Sequence, residues 1–300
     1  MIRVQIPATS ANLGPGFDCL GMALELYNTI EMIPGSRGLS IDVSGEGASD
    51  LPRDENNLVF QAASRVFRQA GYAPTGIKLR LYNQIPVARG LGSSTAAIVG
   101  GVIAANLLTG GGYSIKEIIS LAASMEGHAD NVVPAVLGGI VVSVQADDKI
   151  NYLKIKIPPS LRCVVAIPDY CLATRASREV LPNQVPFQDA VFNVGRVALL
   201  VAALQQGDLS LLGTAMEDRL HQVFRSALIP GLKKVLAATK LAGARGVTLS
   251  GAGPAIVAFA DSNLELIARV MGDTLRQNGV KSKVLVLKPS PVGARALEVK

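Results

Sequence analysis

Between Pro86 and Ala97 the chain reads PVARGLGSSTAA, with two glycines and two serines set between an alternating apolar segment and a long apolar run. That order suits the holding of phosphate. Gly90 and Gly92 let backbone approach an anion closely, the first N–H groups of a following helix point outward, and the helix macrodipole adds partial positive charge there. Ser93 and Ser94 supply hydroxyls for phosphate or a metal ion. No Gly-Lys-Ser/Thr follows, so this is not a Walker loop, and GxGxxG is absent, so it is not a dinucleotide fingerprint. The plain alternative is a glycine-rich turn between a strand and a helix.

The elements around the loop follow from periodicity. Ile77, Leu79 and Leu81 alternate with Lys78, Arg80 and Tyr82, which predicts a half-buried strand ending at Pro86. From Ser94 the pattern becomes helical to about Leu108. After the glycines at 110–112, Ser114 and Glu117 form a capping box that starts another helix. Upstream, Leu58, Val59, Ala62, Ala63, Val66 and Phe67 mark a helix over 57–70 that Gly71 ends. Ile140 to Val144 reads as a short strand. KIPPS breaks the pattern near 151–160, dividing the chain into residues 1–155 and 156–300. The second half predicts the strand LRCVVAIPD and helices over 188–206, 208–224 and 231–242. Two strands flanking GAGP, a helix from Asn263 and a last strand KVLVL complete it. That order is an elaborated ferredoxin-like split βαβ, so the chain is expected to be an α+β protein of two domains.

Composition narrows the partners. The 29 basic residues are scattered among 23 acidic ones for a net charge of +6, and aromatics make up only 4%, so neither a basic stripe nor a stacking platform for nucleic acid is present. Three cysteines, Cys19, Cys163 and Cys171, form no CxxC pair and have two histidines to join them, which argues against a disulfide framework or structural zinc. The N-terminal MIRVQIPATSANLG lacks the apolar stretch of a signal peptide, and the protein is expected in the cytoplasm. The most apolar run, Thr95 to Thr109, is shorter than the ~20 residues that span a bilayer, so no membrane partner is expected. With 49% hydrophobic residues, the apolar surface to spare suits a homodimer.

PVARGLGSSTAA resembles the phosphate-loop signature PxxxGLGSS(A/S)A of the GHMP kinases, with Thr95 where that superfamily more often has alanine or serine. PATSANLGPGFD at 7–18 and TLSGAGPAIVAF at 248–259 lie where the family has its other signatures. The resemblance implies a ribosomal-protein-S5-like N-terminal domain and a ferredoxin-like C-terminal domain, with ATP and substrate between them. It implies ATP contacts from Pro86, Val87, Ala88, Arg89, Gly90, Leu91, Gly92, Ser93, Ser94, Thr95 and Ala96. The SGAGP turn is expected to pack on this loop, its small residues allowing close approach.

Within the superfamily, TSANLGPGFD, EGHADNVVPAVLGG, ATRASREVLP and DRLHQVFRSALIPG resemble segments of the homoserine kinases. That implies L-homoserine as substrate, Asp18 on its hydroxyl, Asn12 on its amino-acid end and Arg178 and Arg225 on its carboxylate. Thr174 falls near the transferred phosphoryl group, and Glu126 with Ser94 falls at a magnesium ion. Only Gly127 separates Glu126 from His128, where many of these enzymes carry an insertion. His128 and Asn131 join the substrate group. Asn131 stands near where mevalonate-type relatives have an aspartate base, so catalysis is expected to rest on Asp18, Asn131 and Thr174 by positioning and electrostatics. The alternatives are a kinase of the same superfamily acting on mevalonate, diphosphocytidyl-methylerythritol or shikimate, a decarboxylase on the same fold, and a binding protein that has lost turnover.

Overall fold

The computed structural model describes residues 1–35, 37–147 and 149–299. In chain order the first part contains β1 (Ile2–Ala11), β2 (Leu20–Pro34), β3 (Gly38–Gly45), α1 (Leu58–Gln69), β4 (Gly76–Asn83), α2 (Ser93–Leu108), α3 (Ile115–Glu126), α4 (Val132–Leu137), β5 (Ile140–Ala146) and β6 (Lys149–Ile155). The second part contains β7 (Arg162–Pro168), α5 (Thr174–Glu179), α6 (Phe187–Gln206), α7 (Leu212–Ala215), α8 (Gln222–Arg225), α9 (Leu232–Leu241), β8 (Gly246–Leu249), β9 (Ile256–Ala260), α10 (Leu264–Gln277), β10 (Ser282–Leu287) and β11 (Arg295–Val299).

Two sheets organise these elements. The first runs β11-β1-β2-β4-β3, with β5 joined to β2 and β6 joined to β5; the second runs β10-β7-β9-β8, all antiparallel. The second order, with α10 crossing between β9 and β10, is the split βαβ arrangement that the sequence predicts. α2 lies in the core between the first sheet and α1 and is buried nearly all round. Its glycine pair makes that possible: a Cβ on Gly100 would lie 2.3 Å from Ile30 Cδ1, and one on Gly101 would lie 2.5 Å from the Val59 carbonyl oxygen.

Local chemistry sets several boundaries. Asn57 caps α1 by accepting from Val59 N, and the Ser114–Glu117 capping box opens α3 with both of its hydrogen bonds formed. β1 runs through Pro7 rather than stopping there. Its register on β2 shifts between Pro7 and Ala8, where the proline lacks an N–H for the ladder.

The expected helix over 208–224 is not continuous. A short 3-10 turn at Leu209–Leu211 leads into α7, an irregular stretch follows, and α8 spans only Gln222–Arg225. The cause is Asp218, whose carboxylate accepts from Leu220 N, His221 N and Gln222 N, taking backbone donors that a continuous helix would use. KVLVL is not the last strand: β11 returns the chain to the first sheet beside β1. Among the described residues one helix, α6, is long and apolar enough to cross a membrane, with mean hydropathy 1.4; 22% of it is buried, and Phe187, Val191 and Val194 are exposed.

Candidate active site

A cleft of about 350 Å³ is lined by strands and loops of the first part, among them Ala11, Ile30 and Leu81, and by loop and helix residues of the second part, among them Thr174, Arg178, Arg225 and Gly251. The phosphate loop forms one wall. α2 begins at Gly92, in the left-handed region at φ 69°, and no side chain caps it. The uncapped first turn, with Ser93 and Ser94 facing the cleft, presents N–H groups, two hydroxyls and the positive end of the helix dipole together. Val87, Ala88, Arg89 and Gly90 line the same cleft, while Leu91, Thr95 and Ala96 are fully buried behind it.

The close packing under this loop centres on Gly90 and Gly92. A Cβ on Gly90 would lie 2.3 Å from the Ser250 carbonyl oxygen, and Ser250 Oγ donates to the Gly90 carbonyl at 2.6 Å. The SGAGP turn therefore packs on the loop, and Gly90 is the glycine whose missing side chain admits it. A Cβ on Gly92 would lie 2.0 Å from Thr9 Oγ1. Gly92→Val is accordingly expected to displace the loop by collision with β1 beneath it and by strain at positive φ, weakening nucleotide binding at least tenfold in calorimetry. Unchanged nucleotide affinity would contradict this.

Glu126, at the end of α3, reaches the loop. Its Oε1 accepts from Ser94 Oγ at 2.7 Å and from Thr95 Oγ1 at 2.8 Å. The loop serines and this carboxylate form a small group of hard oxygen donors beside the first turn of α2, the chemistry magnesium prefers when phosphate and water complete its shell. No cluster of three or more His, Cys, Asp or Glu side chains that could hold a metal occurs among the described residues, so an all-protein cage is not what the site offers.

His128 sits in the link between α3 and α4, not at a helix start. Its Nδ1 is 2.7 Å from Asp130 Oδ1 and its Nε2 is 4.0 Å from Glu126 Oε1. Burial opposes its protonation, but the hydrogen bond and charge of Asp130, with Glu126 adding, outweigh burial and raise its pKa. Asn131, the residue before α4, lines the cleft and accepts from Thr9 Oγ1 at 2.7 Å.

The 12–18 loop carries Asn12, Leu13 and Asp18 at positive φ, three strained residues within seven positions. Asn12 holds the loop in shape: its Oδ1 accepts from Asp18 N and its Nδ2 donates to the Gly251 carbonyl. Asp18 makes a bidentate pair with Arg178 of α5, at 2.7 and 3.0 Å. That hydrogen-bonded pairing is the main cause raising the Arg178 pKa. Thr174, first residue of α5, lines the cleft beside them.

Arg225 is the largest fully buried side chain described. Its Nε donates to the Ser177 carbonyl, and its Nη1 donates to His221 Nδ1 and the Gly251 carbonyl. Among the described residues no carboxylate pairs with it, although it lines the cleft. Burial, and then the like charge of Arg178, pushes its pKa down to about 10, so it remains charged at neutral pH. His221 is also buried; its Nε2 donates to the Gly14 carbonyl at 2.7 Å. Desolvation, aided by Arg225 and opposed by Asp218, lowers its pKa and favours the neutral ring that accepts from Arg225. Phe17 lies 5.4 Å from the Arg178 guanidinium and 5.3 Å from that of Arg225, an aromatic face shared by both cations.

The cleft thus gathers Asn12, Asp18, Ser93, Ser94, Glu126, His128, Asn131, Thr174, Arg178 and Arg225. Arg89 lines it too, but its guanidinium donates to Pro168 O and Val87 O and ties the loop to β7. Several contributors were not singled out by the sequence reading. Leu51, Pro52, Leu58, Val59 and Leu81 form an apolar end to the cleft, and Phe17, His221 and Thr9 brace its polar residues. The DRLHQVFR spacing carried a signal for His221, since positions three and four apart share a helical face with Asp218 and Arg225.

Comparison with known proteins bears on this arrangement. The family model described as GHMP kinases N terminal domain matches residues 57–139, and that described as GHMP kinases C terminal matches residues 200–277. A homoserine kinase of Moorella thermoacetica is 47% identical over 98% of this chain and 99% of its own. The crystal structure of homoserine kinase from Cytophaga hutchinsonii superposes with a TM-score of 0.88 at 33% identity, covering 99% of this chain and 97% of that one. An L. major mevalonate kinase in complex with R-mevalonate, 19% identical over 95% of each chain with a TM-score of 0.73, shares the fold. With both family models matched in order and full-length relatives at this identity, the chain belongs to the GHMP kinases, in their homoserine kinase branch.

Proposed function

We propose that this protein transfers the γ-phosphoryl group of ATP to the hydroxyl of L-homoserine, giving ADP and O-phospho-L-homoserine, the step that commits homoserine towards threonine. The observation that carries the reading is Arg225, a buried guanidinium with no carboxylate partner among the described residues, lining the same cleft as Arg178 and the 87–94 loop residues and sharing the Phe17 ring with Arg178. Asp18, Asp218 and Asp130 act on it only from a distance, and a buried charge hydrogen-bonded to neutral groups alone is costly, which a substrate carboxylate would relieve. A sugar, which has no carboxylate, would leave that pair unexplained; mevalonate and shikimate carry one as well, so turnover with each acceptor separates them from homoserine.

The apolar end of the cleft suits a nucleotide base, and the α2 N-terminus with Ser93 and Ser94 suits its phosphates. Residues 1–155 would supply most of the ATP contacts and residues 156–300 the arginines. Ser94 and Glu126 would hold magnesium, which supplies charge neutralisation on the phosphoryl oxygens when bound. Asp18 would orient the acceptor hydroxyl, its carboxylate released in part from Arg178 as the substrate carboxylate takes that guanidinium. His128 is held by Asp130 and braces Glu126. Because phosphoryl transfer through a loose transition state demands little early proton removal, placement of the hydroxyl and charge stabilisation by Asn131, Thr174 and the α2 dipole carry the rate.

The test is turnover with homoserine against other acceptors of the superfamily, with the phosphorylated product identified. The scattered surface charge supports a cytoplasmic enzyme without nucleic-acid or membrane partners. The exposed Phe187, Val191 and Val194 on α6 support a homodimer; sedimentation velocity is expected to give a dimer mass, and a monomer at micromolar concentration would contradict it.

A further inference from the structure

Thr9 is fully buried in β1, away from every substrate-facing surface, yet it joins two parts of the site. Its backbone N–H donates to the Leu91 carbonyl in the phosphate loop at 3.1 Å. Its hydroxyl donates to Asn131 Oδ1 at 2.7 Å and makes no other hydrogen bond among the described residues. Asn131 does not use its side chain to cap α4, although it occupies the cap position. Its carboxamide is committed to Thr9 instead.

A carboxamide has an acceptor face and a donor face, and which one meets the substrate decides what the residue can do. With the amide oxygen turned to Thr9, the hydroxyl proton has its acceptor. With the amide reversed, the buried Thr9 O–H would lose the one acceptor it uses among the described residues, an arrangement that native structures avoid. We infer that Thr9 is a positioning residue that fixes Asn131 with its NH2 group turned into the cleft. Asn131 then serves as a donor to an oxygen carrying developing negative charge, while its oxygen is turned to Thr9 and its neutral carboxamide is no base for the proton of the substrate hydroxyl. This rests on the kinase reading above and deepens it: Thr9, a residue that touches no reactant, decides the chemical sense of one that does.

The test is Thr9→Val, which keeps the shape and removes the hydroxyl, with Thr9→Ser as the conservative rescue. Thr9→Val is expected to lower kcat about ten- to a hundredfold, as misorientation of a contact in the transferring group does, with KM for homoserine and nucleotide affinity within about threefold. Thr9→Ser should restore at least half of kcat. In an Asn131→Ala background, Thr9→Val should have no further effect, since the residue it orients is gone. Should Thr9→Val not fold, Thr9→Ala removes the same hydroxyl. A wild-type kcat in Thr9→Val overturns the inference, as does an equal loss with and without Asn131, which would place the effect in the phosphate loop through Gly92. A second readout is independent of the acceptor. The 15N side-chain NH2 signal of Asn131, assigned by its loss in Asn131→Ala, should shift when a magnesium-bound, non-hydrolysable ATP analogue is added to wild type and Thr9→Ser, and not in Thr9→Val. A shift retained in Thr9→Val overturns the positioning role. If homoserine turnover itself is absent in wild type, the kinase reading fails while this signal still decides the role of Thr9.

Discussion

Arg225→Ala is expected to raise the KM for homoserine about tenfold to a hundredfold. The guanidinium is buried, lines the cleft and has no carboxylate partner among the described residues, so a substrate carboxylate would form a charge-assisted contact worth roughly 1.5–3 kcal/mol, the free energy of that range of affinity. The loss should fall on KM more than on kcat, because the contact is remote from the transferred phosphoryl group. Nucleotide affinity should hardly change.

The structure adds a cost beyond the substrate contact. Arg225 also donates to Ser177 O and Gly251 O and binds His221. Alanine would take the Arg225 donors from the Ser177 carbonyl and His221 Nδ1, while the Gly251 carbonyl keeps its bond from Asn12, and a fall in Tm of roughly 5 °C or more is expected from one or two such groups. Arg225→Lys separates the two effects. It keeps a charge but cannot reproduce the planar set of donors, so affinity should be only partly rescued. The methyl ester of homoserine is the control: wild type should use it poorly, and the alanine variant should no longer distinguish it from the acid. A wild-type KM with full preference for the acid would remove the carboxylate site, and with it much of the case for homoserine.

Glu126→Gln is expected to lower kcat on the order of a hundredfold or more and to raise the magnesium concentration needed for half-maximal turnover. The amide keeps the shape and one oxygen, so the hydroxyls of Ser94 and Thr95 can still donate to it, but the negative charge that would face the metal is gone. Folding should be nearly unaffected, with Tm within a few degrees of wild type, because no buried partner loses its acceptor. Wild-type turnover with unchanged magnesium dependence would place the metal ligand elsewhere.

These two sites were legible in the sequence to different depths, for physical reasons. The loop over 86–97 was readable because its pattern is local: Gly90, Gly92, Ser93 and Ser94 stand within five positions, just where apolar alternation gives way to helical period. The split βαβ second half was readable from the same switches of period. The middle of that half was not. A continuous helix over 208–224 fits the apolar spacing, but the Asp218 carboxylate captures three backbone N–H groups and breaks it, with Arg225 at the cleft and His221 buried against it.

The long strand β2 escaped for the opposite reason. Its first third, LGMAL, is buried on both faces, so the alternation that marks a half-exposed strand is absent there. β11 is short, exposed and separated from its partner β1 by nearly the whole chain. Arg178 and Arg225 could be named from their motifs, but the contrast between them could not. One lies half exposed against Asp18, and the other is buried and anchored to backbone carbonyls. Residues such as Thr9, His221 and Phe17 act by holding others, and such roles depend on contacts across more than a hundred residues.

The most direct measurement is ADP release, coupled to an enzymatic readout, with homoserine, mevalonate, shikimate and galactose offered at equal concentration, followed by 31P NMR of the product. Magnesium-dependent turnover with homoserine, at a kcat/KM at least a hundredfold above each of the other acceptors, and a new phosphomonoester signal matching O-phosphohomoserine are the expected result. Turnover that favours mevalonate, shikimate or galactose, or ADP release with no homoserine phosphoester formed, would contradict it.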